Sequence, residues 1–231
     1  MTLRARLADA KRRLRWHVDR RLGAVDRALA HAYLRDHTTR KLHIGCGGHL
    51  LPGWLDADRR PDDLRVLDLD ATRPFVLLET GSFDFVFSEH MIEHVSYPDG
   101  ISMLRECHRV LRRDGVVRIS TPDLAFLVDL YRADPSPLQQ RYLAWSSERY
   151  AGVPSGEPAF VINNFVRDWG HQFIHDERSL LGALEAAGFT QLTRCAIGES
   201  AHAALRGLEN VERMPEGFLA LETVTIEGTK R

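Results

Sequence analysis

Short apolar runs, each closing in a polar or glycine-rich tip, recur from residue 41 to residue 123 and set the plan of the chain. Lys41-Leu42-His43-Ile44 runs into Gly45-Cys46-Gly47-Gly48, the pattern of a buried parallel strand that enters a tight turn where a ligand can approach bare backbone. A second predicted strand, 54–57, ends in Asp58, and a third, 65–69, ends in Asp70-Ala71. The fourth, 83–88, runs into Glu89-His90-Met91-Ile92-Glu93-His94, and the fifth, 116–119, into Ser120-Thr121-Pro122-Asp123. Strand tips of this kind share one crevice at the carboxyl edge of a doubly wound α/β sheet.

Helical spacing fills the intervals. Ile101, Leu104, Cys107, His108 and Leu111 give one face to a helix over 99–111, which Arg112-Arg113-Asp114-Gly115 ends with the glycine as left-handed cap. Further helices are predicted at 124–132, 138–149 and 177–187, the last capped by Asp176; strands at 191–197 and 218–227 complete the sheet, the final one as an antiparallel edge hairpin. The link from Gly45 to Asp58 contains Pro52-Gly53 and is too short for a full crossover helix, so a helical turn or two is expected after Gly48. With no third spaced glycine and no acidic residue at the right distance, a dinucleotide dehydrogenase is disfavoured.

Residues 1–38 differ in character, with Leu3, Leu7, Leu14, Val18, Leu22, Val25 and Leu29 set among many arginines as a basic amphipathic helical extension. Three roles fit it: packing on the main domain or across a homodimer, peripheral contact with an anionic membrane surface, or capture of an anionic substrate. The main domain then runs over 39–231, with an insertion at about 133–175 that the sheet does not require. Its prolines and glycines, followed by Asn163, Asn164, Arg167, Trp169 and His171, describe a lid or substrate wall.

Composition narrows the classes. A chain of 231 residues, 44% hydrophobic, can bury one substantial core, and a net charge of −1 argues against a nucleic-acid binder. Cys46, Cys107 and Cys195 form no C-x-x-C pair, so neither a zinc knuckle nor a redox dithiol is indicated. No secretory leader and no membrane-length apolar stretch is evident, which makes a soluble cytoplasmic protein the expectation.

The run Leu42 to Gly48, then Gly53-Trp54-Leu55-Asp56-Ala57-Asp58, Phe83 through His94, Arg109 to Gly115, Thr121-Pro122-Asp123-Leu124, Asn163-Asn164-Phe165, Gly170-His171-Gln172-Phe173 and Glu199-Ser200 resembles the class I S-adenosylmethionine-dependent methyltransferases. Within these it is similar to the small methyltransferases of polysaccharide and glycolipid biosynthesis, with the methylmannose polysaccharide 1-O-methyltransferases as a nearer likeness. The resemblance implies a Rossmann-like seven-stranded sheet in the order 3-2-1-4-5-7-6. It implies that Gly45 and Gly47 lie under the methionine moiety of S-adenosylmethionine, that Asp58 grips the ribose, and that Asp70 and Ala71 meet the adenine. Ser88 and His90 would flank the sulfonium. The short link leaves both Asp56 and Asp58 open as the ribose ligand.

A hydroxyl acceptor needs its proton removed, and histidine is the side chain with suitable basicity. His90 and His171 are the candidate bases. Asp123 is a third candidate, though a helix N-cap competes for it. Glu89, His94, Asn164, Arg167, Trp169 and His175 are the candidate acceptor ligands, Trp169 or Trp145 by stacking on a sugar face. Glu89, Asp123, His90 and His171 can also assemble a divalent metal site, Mg2+ being the ion expected, although no ligand spacing demands one. His43, between Leu42 and Ile44, reads as a core histidine. The expected activity is O-methylation of a saccharide or glycolipid precursor. Rival readings are a methyltransferase for another acceptor and a non-catalytic interaction protein on a decayed fold. Ser88-Glu89-His90-Met91 in place of an N-P-P-Y motif argues against nucleic-acid amino methylation.

Overall fold

The computed structural model describes residues 23–132, 134–152 and 156–231. Each apolar run becomes a strand: β1 Lys41–Ile44, β2 Leu55–Asp58, β3 Leu67–Asp68, β4 Phe83–Glu89, β5 Leu111–Pro122, β6 Thr190–Cys195 and β7 Thr223–Thr229. They form one sheet in the order β3-β2-β1-β4-β5-β7-β6, the order that the resemblance implies, which makes this a class I methyltransferase fold. β1 lies parallel to β2 and β4, while β7 runs antiparallel to both β5 and β6. Helices cover both faces of the parallel strands, so these strands read as unbroken apolar runs; Leu42, Val86, Val117 and Ile119 are wholly enclosed.

The helices are α1 Ala24–Asp36, α2 Tyr97–Val110, α3 Leu124–Asp129, α4 Pro137–Ser146, α5 Pro158–Arg167, α6 Glu177–Ala186 and α7 Phe218–Glu222. Several start on a capping side chain: Ser96 accepts from the Asp99 N–H, and Asp176 forms a reciprocal capping box with Ser179. Residues 1–22, the greater part of the predicted basic extension, lie outside the described residues. Within its described part, α1 sits on the β1–β3 side of the sheet, where Asp26 accepts the Asp68 N–H at 2.9 Å and the Tyr33 hydroxyl donates to the Lys41 carbonyl at 2.9 Å.

Four expectations are corrected. Leu111 does not close a helix but opens β5, and the exposed Arg112–Asp114 turn forms an irregularity in its pairing with β4. Gly115 is not a left-handed cap. Asp114 takes the positive φ of 62°, and Gly115 is required because a Cβ there would lie 2.9 Å from the Arg112 carbonyl oxygen. No helical turn follows Gly48, because the link is a pair of turns held by Asp56, which accepts the Leu51 N–H at 3.2 Å. Finally, residues 218–222 are helix rather than strand, and β7 is an interior strand with β6 outside it.

Helices that follow β5 share a second core. Phe126 of α3 and Leu130 just after it, Tyr142 and Leu143 of α4, Val161 and Phe165 of α5, and Phe218 of α7 pack together. A second tie holds the segment between β6 and α7. Arg118 on β5, with no exposed surface, donates to Glu209 at 2.6 Å, to Glu227 at 2.7 Å and to the carbonyl of Glu199 at 2.8 Å.

Candidate active site

Two cavities open at the carboxyl edge and share a wall. The first, about 340 Å³, is bounded by the tips of β1 and β2, by residues 69–72 and by His90, Met91, His94 and Val95. Gly45 and Gly47 both have positive φ, 74° and 52°. A Cβ on Gly45 would collide with the Met91 side chain, whereas one on Gly47 would meet nothing within 4 Å. The loop can therefore bring bare backbone to the cavity wall. Asp58 fixes that loop, since its Oδ2 accepts the Gly47 N–H and its Oδ1 the Arg59 N–H, both at 2.6 Å. Asp70 stands opposite; its hydrogen bond from the Thr72 hydroxyl at 2.7 Å holds its carboxyl below the usual range.

The register of β1 against β2 separates the two aspartates. His43 pairs with Asp56, and its Nδ1 lies 2.9 Å from the Asp56 carboxylate, so Asp56 is engaged inside the sheet and 6% exposed. Asp58, two residues on, lines the cavity. His43 is the satisfied core histidine that its pattern predicts.

The second cavity, about 270 Å³, is walled by Tyr142, Trp145 and Tyr150 from α4 and the turn after it, by Phe165, Trp169 and His171, and by Arg213, Met214 and Glu222. His90, Glu93 and His94 form its floor. The turn of Trp169 and Gly170, both at positive φ, swings the indole over the opening. Gln172 fastens this wall to the β4 tip: its N–H donates to the Glu93 carbonyl and its side-chain amide to the His94 carbonyl, each at 2.7 Å. The Tyr142 hydroxyl donates to Glu222, whose carboxyl is pushed up to about 7 by burial.

His90 borders both cavities. Its backbone has φ 49°, an uncommon conformation for a residue with a Cβ, and its ring is held between the Thr223 hydroxyl, 3.0 Å from Nε2, and Glu93, 3.4 Å from Nδ1. Burial lowers its basicity well below that of a free histidine. Glu93 is fully enclosed and burial raises its carboxyl to about 8; Oε2 accepts the Thr121 hydroxyl at 3.0 Å, while Oε1 has no hydrogen-bond partner. His171 Nδ1 lies 2.7 Å from the Phe165 carbonyl oxygen, which fixes the proton there and leaves a lone pair on Nε2.

The sequence-derived candidates thus divide. Gly45, Gly47, Asp58, Asp70, Ala71 and His90 meet around the first cavity, and His90, His94, Trp169 and His171 around the second. Ser88 does not join them, because it lies inside the sheet, paired in register with Ile44 and Ile119. Asp123 is not at either cavity; its carboxylate accepts the Ala125 N–H at 2.9 Å as the N-cap of α3. Glu89 accepts the Asn210 N–H at 3.1 Å and anchors that segment instead of a ligand. His175 is buried against Tyr97 and Phe173, where burial drops its basicity to about 4. Asn164 is buried in α5, and Arg167 is exposed at its end; neither lines either of these two cavities. These placements also dissolve the metal set of Glu89, Asp123, His90 and His171. Sequence reasoning missed Tyr142, Tyr150, Arg213, Met214 and Glu222 on the wall of the second cavity and Arg59, Thr72, Met91 and Gln172 on that of the first. Arg59, Thr72, Met91 and Gln172 each adjoin a nominated residue (Asp58, Ala71, His90 and His171), which is the local signal they carried.

A family model described as a methyltransferase domain matches residues 54–119. No protein of curated function matches the sequence. Solved structures with similar folds include a SAM-dependent methyltransferase from Archaeoglobus fulgidus, 19% identical with a TM-score of 0.49, covering 88% of this chain and 94% of that one. A SAM-dependent methyltransferase from Thermotoga maritima is 19% identical with a TM-score of 0.47, covering 94% of this chain and 100% of that one. The CurJ carbon methyltransferase is 13% identical with a TM-score of 0.46, and its 83% coverage of this chain spans 48% of its own length.

Proposed function

We propose that this chain, a class I methyltransferase fold with a methyltransferase-domain match over residues 54–119, is an S-adenosylmethionine-dependent O-methyltransferase acting on a saccharide or glycolipid precursor. The observation that carries this reading is the pair of adjoining cavities that meet at His90 and His94. One has the features of a nucleoside site: glycine backbone at the β1 tip, a carboxylate at the β2 tip and a second acidic turn after β3. The residues present fit the cofactor. Asp58 keeps lone pairs for two vicinal hydroxyls beyond those used by Gly47 and Arg59, and Gly47 leaves open space beside it. Bound there, S-adenosylmethionine supplies an electrophilic methyl group.

The other cavity orients the acceptor. Trp145, Tyr150 and Trp169 offer flat apolar faces of the kind on which sugar rings stack, and Arg213 and Glu222 offer hydrogen-bonding groups for hydroxyls. Holding both reactants in line accounts for much of the rate, a positioning effect of about 7–11 kcal/mol in favourable cases. His90, at the seam, would take the proton of the attacking hydroxyl on Nε2, giving up its contact with the Thr223 hydroxyl, as the methyl group leaves sulfur for that oxygen; Glu93 lies beside Nδ1. Such a base contributes roughly 10²- to 10⁴-fold.

The test supplies radiolabelled S-adenosylmethionine and fractionated glycans and glycolipids to the purified protein. Label should enter a saccharide hydroxyl as an alkali-stable ether, and His90→Ala should lower turnover by at least 100-fold while S-adenosylhomocysteine still binds. Label appearing only on an amine, thiol or carbon acceptor would overturn the assignment.

A further inference from the structure

We propose that Glu93, His94 and His171 form a binding site for one divalent transition-metal ion at the seam between the two cavities. One ligand atom from each lies within 4.8 Å of the others. The independent sign of a ligand is Glu93 Oε1, a carboxyl oxygen enclosed by protein on a residue that lines the second cavity; it makes no hydrogen bond, His90 Nδ1 standing 3.4 Å away. A buried polar acceptor atom left in this state is costly unless something binds it.

The two imidazoles are prepared for the same partner. His171 Nδ1 is tied to the Phe165 carbonyl at 2.7 Å, and the Trp169 backbone lies close to the His94 ring. Metal-binding histidines are oriented in just this manner, one nitrogen donating to a carbonyl while the other keeps its lone pair. The rings meet edge to face at 4.8 Å between centroids, and Gln172 locks the loop bearing His171 to the turn bearing Glu93 and His94. Thr121 on Oε2 and His90 near Oε1 would serve as the outer shell of the carboxylate. Ligands about 2.1 Å from a tetrahedral ion lie about 3.4 Å apart, so the trio would draw in by roughly 1 Å on loading. Two imidazoles and one carboxylate favour Zn2+, Co2+, Fe2+ or Mn2+ over Mg2+. Its role rests on the acceptor placement proposed above: open positions on the cavity side would take the acceptor oxygen and ease loss of its proton.

Chelator-stripped protein titrated with Co2+ should develop visible d–d absorption at one ion per chain, and calorimetry should give the same stoichiometry for Zn2+. Glu93→Gln and His171→Ala should each weaken Co2+ binding at least tenfold while keeping S-adenosylhomocysteine affinity, which certifies their fold. If Glu93→Gln does not fold, His171→Ala decides. Wild type without stoichiometric Co2+ absorption, or a folded His171→Ala that binds Co2+ as wild type does, would overturn the site. Failure of wild type to bind S-adenosylhomocysteine would instead strike the methyltransferase reading and leave the metal titration standing.

Discussion

Asp58→Ala should cost S-adenosylhomocysteine affinity, and Asp56→Ala should cost stability instead. The two carboxylates are neighbours on one strand, yet their surroundings differ. Both Asp58 oxygens accept backbone N–H groups at 2.6 Å and still face the cavity, so truncation removes the loop clamp and the acceptors available to a ribose together. Hydrogen bonds to a charged group are worth about 1.5–3 kcal/mol, and about 1.4 kcal/mol is tenfold in affinity. Asp58→Ala should therefore bind on the order of 10- to 100-fold more weakly, and Asp58→Asn, which keeps one carbonyl oxygen, should fall between. Asp56→Ala leaves the His43 ring and the Leu51 N–H without their partner inside the sheet, at a cost of about 1–3 kcal/mol in stability. Calorimetry with S-adenosylhomocysteine and urea unfolding measure the two quantities separately. If Asp58→Ala binds within threefold of wild type, or if Asp56→Ala is the variant that loses affinity while folded, the assignment of the β2 tip is wrong.

Arg118→Met strands the Glu209 and Glu227 carboxylates in the interior and should cost about 3–5 kcal/mol; urea unfolding that moves by less than about 1 kcal/mol would show that the pair is not load-sharing. Adding Glu209→Gln and Glu227→Gln to that variant should restore part of the loss. Trp169→Ala should raise the acceptor KM about 2- to 12-fold through lost ring stacking, with S-adenosylhomocysteine affinity unchanged; an unchanged KM would remove the indole from the acceptor wall. Glu93, at about 8 in the folded protein against an ordinary 4.5, holds a proton that the unfolded chain releases, so its stabilisation is full below about 4.5 and disappears as pH rises through about 8. With chelator present, the wild-type melting temperature should fall more steeply from pH 5 to pH 9 than that of Glu93→Gln, and parallel curves would contradict this.

Much of the first cavity's wall was legible because it is local. A strand that ends in glycine, or in aspartate directly after its last apolar position, writes its tip into the sequence, as at Gly45, Gly47, Asp58 and Asp70. Alternation also marked Leu42, His43 and Ile44 as enclosed. Local patterning failed where two conformations share one composition. The apolar run from Phe218 into β7 reads as a single strand, yet Gly217, at φ 84°, starts a helical turn that lasts until Thr223. Arg112-Arg113-Asp114 looks like a helix stop, but it is an exposed excursion within β5. The acceptor wall was least visible. Tyr142, Arg213 and Glu222 come from separate elements, and only the packing of α3, α4, α5 and α7 brings them to one place. Histidines gave the reverse error: His175 carries the right chemistry, and its burial beside Phe173 withholds it.

Because the turn from His90 to His94 is a partition common to both chambers, their occupants cannot be energetically independent. Any guest on one side that shifts this partition changes the hold on the other, and thermodynamic reciprocity makes the two effects equal. A bisubstrate compound, an adenosine tethered past His90 to a small glycoside, would exploit that shared boundary directly.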